Sequence, residues 1–155
     1  MYKFILIPYL LAWAALVGCG EKPLTEEDRQ DITQTLRDYL PVLATGYTSG
    51  NLESLKEFAA EREVARVFTR VSELADEGKF VEPTFREMTV ENIQVWSHAN
   101  AFVTTLEVWD LRVYANGSQS LLGQELDQSN RVKYQLKRRG PKWEVLLREL
   151  DEAIQ

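Results

Sequence analysis

Two hydrophobic periods divide the chain. Through residues 25–78 apolar side chains recur at steps of three and four, whereas beyond Phe85 they recur at every second position. Ile32, Leu36, Tyr39, Leu40, Leu43 and Tyr47 mark one face of a first helix. Thr25 opens it, and Asp28 stands three positions on to answer the first-turn amides, an Asp variant of the capping box. Glu26, Glu27 and Asp28 also suit the positive end of the helix dipole. Pro41 predicts a kink or division near Tyr39-Leu40, because it removes a backbone donor. Asn51 is placed to cap a second, short helix running to about Ala60. A third helix starts near Glu61 with the stripe Val64, Val67, Phe68, Val71, Leu74 and Ala75, and Gly78 suits its left-handed cap. Glu82-Pro83 ends any helix.

The strand-like half reads as a meander. Val90 to Ser97 is followed by a turn at His98-Ala99-Asn100, a long strand from Ala101 to Ala115 and the hairpin signal Asn116-Gly117. The next strand runs from near Gln119 to Lys137, with Val132, Tyr134 and Leu136 inward, and Lys142 to Leu150 is the last. The long strand has a flaw: Phe102, Leu106 and Val108 are apolar at even positions, Trp109, Leu111 and Val113 at odd ones. A strand changes faces only through an extra residue, so a β-bulge is predicted near Val108-Trp109, with Asp110 and Arg112 as an outward surface pair. The expected fold is α+β: N-terminal helices packed against a curved four-stranded antiparallel meander.

The pattern ahead of residue 25 is different. Lys3 precedes the uncharged run Phe4 to Val17, which ends in small residues. Spanning a bilayer as a helix takes about 20 apolar residues, and this run is shorter and contains Pro8, so a cleaved secretory signal is the better reading. Leu16-Val17-Gly18-Cys19 resembles the lipobox of bacterial lipoproteins. The resemblance implies cleavage before Cys19, a thioether-linked diacylglycerol on its sulfur and acylation of its new amine. Gly20, where an Asp would signal inner-membrane retention, points to the periplasmic face of the outer membrane. Cys19 is the sole cysteine of the chain, so a disulfide has no second partner within it. The expected organisation is a signal peptide over 1–18, a lipidated tether over 19–24 and one domain over 25–155.

Charge narrows the partners. Without Lys3, 17 basic and 24 acidic side chains balance at −7, which argues against nucleic acid. The charge is uneven: residues 19–130 hold 10 basic and 20 acidic groups, and residues 131–155 hold 7 and 4. The basic cluster Arg131, Lys133, Lys137, Arg138, Arg139 and Lys142 either faces anionic lipid or an acidic partner, or is the solvated side of a strand and its turn.

Helices followed by a long, bent meander resemble the cone-shaped NTF2-like (SnoaL-like, cystatin-like) superfamily. The matching pieces are Gly50-Asn51-Leu52-Glu53-Ser54-Leu55, Ala101-Phe102-Val103 and Gly140-Pro141-Lys142-Trp143-Glu144-Val145. A chloroplast-division-type IMS-like domain is one similar relative. Superfamily members include isomerases, dehydratases and non-catalytic binding or scaffold domains, so fold alone leaves function open. Trp96, Trp109, Asp110, Tyr134 and Trp143 are the candidate pocket residues; the aromatics either line a cavity at the open end of the cone or fill its core. The sole histidine, His98, falls in a predicted turn. Neither a metal-ligand spacing nor a phosphate-binding glycine loop occurs, and no cofactor is expected.

The leading expectation is therefore a lipid-anchored envelope module, monomeric and non-catalytic, that binds an apolar ligand or an unknown protein. The competing expectation is a small isomerase- or dehydratase-like envelope enzyme with Asp110 or Tyr134 as its polar group. Cys19→Ser is expected to release the protein from membranes and to abolish metabolic labelling with palmitate; unchanged labelling refutes the anchor.

Overall fold

The computed structural model describes residues 21–154. The expected signal peptide over 1–18, the motif Leu16-Val17-Gly18-Cys19 and the first residues of the expected tether lie outside the described residues. The elements are β1 (Glu21–Lys22), α1 (Glu26–Ser49), a 3-10 turn (Ser54–Glu57), α2 (Glu61–Asp76), β2 (Lys79–Trp96), β3 (Asn100–Ala115), β4 (Leu121–Arg139) and β5 (Lys142–Ile154). The strands form one antiparallel sheet in chain order. The helices pack on one face of it, as an α+β cone requires. The tether adds a detail the sequence did not predict: Glu21 and Lys22 pair with Trp96 and Val95.

The first helix starts as expected. Thr25 Oγ1 accepts the Asp28 amide at 3.0 Å and donates to the Asp28 carboxylate at 2.9 Å. Pro41 does not divide it, since α1 runs unbroken to Ser49. Pro41 is exposed; it forfeits one backbone bond, while fully buried Ile32, Leu36, Tyr39 and Leu40 hold the opposite side. Gly50 closes the helix in the left-handed region, at φ 70°. Asn51 Oδ1 accepts the Glu53 amide, but what it caps is only the 3-10 turn. Residues 58–60 then lie along β5, with Ala60 N–H donating to Val145 O and Val145 N–H to Phe58 O, both at 2.8 Å.

Two strand expectations need correction. The first full strand begins at Lys79, not Val90, and carries Pro83 opposite Leu111. Over this stretch β2 has no other neighbour among the described residues, and an edge strand tolerates a missing donor. The connection after Ala115 is a loop over residues 116–120, with Gln119 rather than Gly117 in the left-handed region, so Asn116-Gly117 is not a two-residue turn.

The predicted bulge exists, but its extra residue lies elsewhere. Pairing slips where Phe85 and Glu87 face Trp109 and Val108, which makes Arg86 of β2 the extra residue. On the other side, Trp109 and Leu111 face Gln128 and Glu125, so β4 carries the surplus at Leu126-Asp127. Strand β3 itself never changes phase. Ala101, Val103, Thr105, Glu107 and Trp109 are all buried in alternation, while Phe102 is 45% exposed. The apolar even positions that suggested a face switch lie on the outer side, and two polar residues occupy the inner one.

These bulges bend the sheet around the helices. Asp127 sits at φ 53°, an αL position that is unfavourable for a residue with a Cβ. Asp127→Gly is expected to hold or raise thermal stability, whereas Asp127→Val should cost about 1–2 kcal/mol by denaturant titration. Equal stability for the two variants contradicts the bulge.

Candidate functional site

The inner face of the cone holds a closed polar network. Glu107 is fully buried. Its Oε1 accepts from Thr105 Oγ1 at 3.0 Å and from the Tyr134 hydroxyl. Its Oε2 accepts from Trp109 Nε1 at 2.9 Å and from Arg148 Nη2 at 2.7 Å. Arg148 Nε also donates to the Tyr134 oxygen at 3.1 Å, and its guanidinium lies over the Trp109 ring. A buried ion pair is sustained when its remaining lone pairs and protons are satisfied; here four donors converge on one carboxylate.

A second carboxylate sits beside the first. Glu63 of α2, 1% exposed, accepts the Tyr39 hydroxyl at 3.1 Å and the Arg148 backbone N–H at 3.2 Å. Arg66 lies at 3.4 Å from it and donates to the Arg148 carbonyl at 2.6 Å, so α2 and β5 are clasped at Arg148. Burial, ahead of opposition from Arg66, raises the Glu63 carboxyl above the ordinary glutamate range. Burial, reinforced by Glu63, pushes Tyr39 well above the tyrosine range. Burial does the same to Tyr134, with Arg148 opposing and Glu107 adding. Both hydroxyls therefore stay protonated donors. Burial disfavours the Arg148 charge, but Tyr134 and Glu107 outweigh it and hold the guanidinium above the ordinary arginine range.

Arg148 reaches this place through a bulge. Leu136 and Gln135 pair with Val145 and Leu147, so Leu146 is surplus and the phase of β5 reverses. Arg148 then pairs with inward Tyr134. Its side chain is 22% exposed and forms the wall of two adjoining clefts, of about 290 and 380 Å³. The first is mostly apolar, between Leu43, Leu74, Val81, Pro83, Leu111 and Leu150; the second is ringed by Glu63, Arg66, Arg70 and Glu73.

The sequence-derived candidates are dispersed. Trp109 and Tyr134 belong to the network, and Trp109 also lines the apolar cleft. Trp96 is 41% exposed on the outer face. Trp143 is a core residue, 3% exposed, beneath the Arg138 guanidinium. Asp110 corrects the expectation of an outward pair with Arg112: it is 2% exposed and bound to Arg86 Nε at 2.7 Å and to the Asp127 amide at 2.8 Å. The Asp127 N–H, followed by Arg86, lowers its pKa below the ordinary aspartate value. Arg112 lies at 3.8 Å from Glu82 instead. Asp110 thus locks the flanking bulges, and His98 is exposed in the β2–β3 turn. Among the described residues no carboxylate and histidine cluster suited to a metal occurs.

Glu107 escapes a reading of the sequence because the even-numbered apolar residues of β3 suggest the wrong face; its odd spacing from Ala101, Val103 and Trp109 is the available signal. Glu63 sits in phase with Val67 and Leu74 on α2 but reads as an ordinary first-turn acid. The basic cluster is also largely neutralised: Arg131 pairs with Glu91, Lys133 with Asp151, Arg138 with Asp28 and Arg139 with Glu144.

With this geometry established, known proteins supply a family. The family model described as "ARC6-like, IMS domain" matches residues 46–146, about two thirds of the chain, and the chain belongs to that family. Among solved structures, the intermembrane space region of chloroplast protein ARC6 is similar at TM-score 0.64 and 12% identity, covering 78% of this chain and 94% of that one. A periplasmic fragment of TraM is similar at TM-score 0.56 and 14% identity, covering 79% and 96%. A third, Aln2 from a Streptomyces species, aligns at TM-score 0.50 and 13% identity over 83% and 93%. At such identities the structures share the fold. No curated protein matches the chain by sequence.

Breaking the Glu107–Arg148 pair tests the network. Arg148→Met should destabilise the domain by roughly 3–5 kcal/mol, because it strands a buried carboxylate. Glu107→Gln combined with Arg148→Met should recover a clear part of that loss in denaturant titrations. Additive losses contradict the coupling.

Proposed function

We propose that this protein is a lipid-anchored module of the bacterial cell envelope that binds an apolar ligand or partner segment in the cleft beside Arg148, without catalysing a reaction on it. The observation that supports a binding role is the saturation of the inner carboxylates. Glu107 accepts four hydrogen bonds, and Glu63 is met by Tyr39, Arg66 and the Arg148 amide. A general base needs a lone pair within reach of the substrate; those of Glu107 are all taken by protein donors, and Glu63, at the rim of the charged cleft, is held by Tyr39, Arg66 and the Arg148 amide. What faces the cleft is mainly Leu, Val, Pro and Trp surface with the edge of a guanidinium.

This arrangement suits recognition. An apolar wall with a few placed polar groups is the usual form of a ligand site, and Arg148 is held rigid by groups on α2, β3 and β4. The intermembrane-space and periplasmic origins of two fold relatives support an envelope location, and the Leu16-Val17-Gly18-Cys19 motif supports anchoring through Cys19. The same cone with a base directed into the cleft would have favoured the isomerase-like alternative; Asp110, the carboxylate that reading relies on, is engaged by Arg86 and Asp127.

Anilinonaphthalene sulfonate, an apolar fluorescent probe, is expected to bind the full chain with enhanced emission. Leu111→Trp, which narrows the cleft from β3, should weaken binding about tenfold, in line with the cost of overpacking. Unchanged binding by this variant, with the fold intact by circular dichroism, places the ligand site elsewhere.

A further inference from the structure

We propose that the outer face of the cone around Trp96, Phe102 and Lys137 rests on an anionic lipid surface, and that this contact sets the orientation of the domain on the membrane. The inference deepens the anchoring reading and rests on it. Its first support is the point where the chain enters the domain. Glu21 is the register partner of Trp96, and Cys19 is two residues earlier. Two residues span at most about 7 Å, and paired strands lie about 5 Å apart. A lipid on Cys19 therefore brings this end of the sheet to the bilayer, whatever path the intervening residues take.

The side chains at that end suit the interface. Glu21, Trp96, Asn100, Lys137 and Glu144 form one lateral row of the sheet, and Phe102 lies in the next row, diagonal to Trp96. Trp96 and Phe102 are 41% and 45% exposed, although neighbouring Val95, Ala101 and Val103 on the other face are buried. Large aromatics with one apolar and one wet side concentrate at membrane–water boundaries.

Charge complementarity selects the partner. The adjoining β4–β5 turn presents Arg139, Gly140, Pro141 and Lys142, all exposed. Lys137 and Lys142 have no ion pair among the described residues, whereas Arg139 is shared with Glu144. The helices pack against the inner face, so the acidic first turn of α1 lies behind the sheet at this end, where Asp28 is neutralised by Arg138. With residues 19–130 carrying 10 basic against 20 acidic groups, most of the domain is repelled by an anionic leaflet and this end is attracted. The docked orientation leaves the Arg148 clefts, on the helix side of the sheet, facing away from lipid.

The test uses the processed chain purified from membranes and reconstituted into phosphatidylethanolamine–phosphatidylglycerol vesicles with bromine-labelled acyl chains. Trp96 emission is isolated as the difference from a Trp96→Phe chain, and palmitate labelling of Cys19 is followed in parallel. The expected result is quenching of Trp96 by the brominated lipid. Lys137→Gln with Lys142→Gln should lower the ratio of docked to undocked domains by about fivefold per lysine, while palmitate labelling and membrane recovery stay unchanged. Quenching of Trp96 by aqueous acrylamide but not by lipid, on a labelled chain, overturns the docking and leaves the anchor standing. Protection from both quenchers also overturns it, since something other than lipid then covers the face. An unlabelled Cys19 overturns the anchor and the docking together.

Discussion

The pairing of Glu107 with Arg148 is the constraint around which the interior is arranged. A carboxylate fully removed from water persists as an anion only where opposite charge and donors replace its hydration. Glu107 obtains these from β3, β4 and β5 at once: Thr105 and Trp109 on its own strand, Tyr134 on the next and Arg148 on the last. The Arg148 backbone then brings in α2 through Glu63 and Arg66, and Tyr39 brings in α1. Strands β3, β4 and β5 are thus tied to the Arg148 guanidinium, and both helices to its backbone through Glu63. The network gives the cleft a wall whose position is fixed from several directions, as recognition requires.

The bulges are the backbone counterpart of that network. Three of them re-aim side chains: the surplus at Leu146 turns Arg148 into the cone, and those at Arg86 and at Leu126-Asp127 bring their donors onto Asp110. Curvature and chemistry share one origin, since the same slips in register bend the sheet and place its polar residues.

Those slips also explain how much of the molecule is legible from sequence. The two α-helices are, because Thr25, Gly78 and the stripes at three- and four-residue spacing act locally, whereas the short helix expected from Asn51 is only a 3-10 turn. The meander is legible too, because period-two runs are visible along single strands; the phase conflict that suggested a bulge near Trp109 is not a change of face in β3, and the extra residues belong to its partners β2 and β4. The strand that carries the surplus is not legible, since register belongs to a pair and a sequence displays one member at a time. The polar network therefore stays hidden. Glu107 is obscured by Phe102, Leu106 and Val108 on the solvent side, and Arg148 takes its inward direction from an extra residue no local signal marks. Pro83 similarly masks the first part of β2, where half-buried residues at an edge leave little alternation to detect.

The contacts that close the domain join distant parts of the chain. Asp28 meets Arg138 across 110 residues, and Glu63 meets the Arg148 amide across 85. Strand β5 is held on one side by β4 and at Val145 by residues 58–60. A chain emerging N-terminus first therefore has its helices long before it has the partners for their buried acids, and its apolar helix faces have no sheet to cover them. Closure of the helices onto the sheet awaits the last strand, although β2, β3 and β4 pair in chain order ahead of it. Topologies dominated by such long-range pairings fold slowly, and truncation within β5 would remove the organising cation along with a strand.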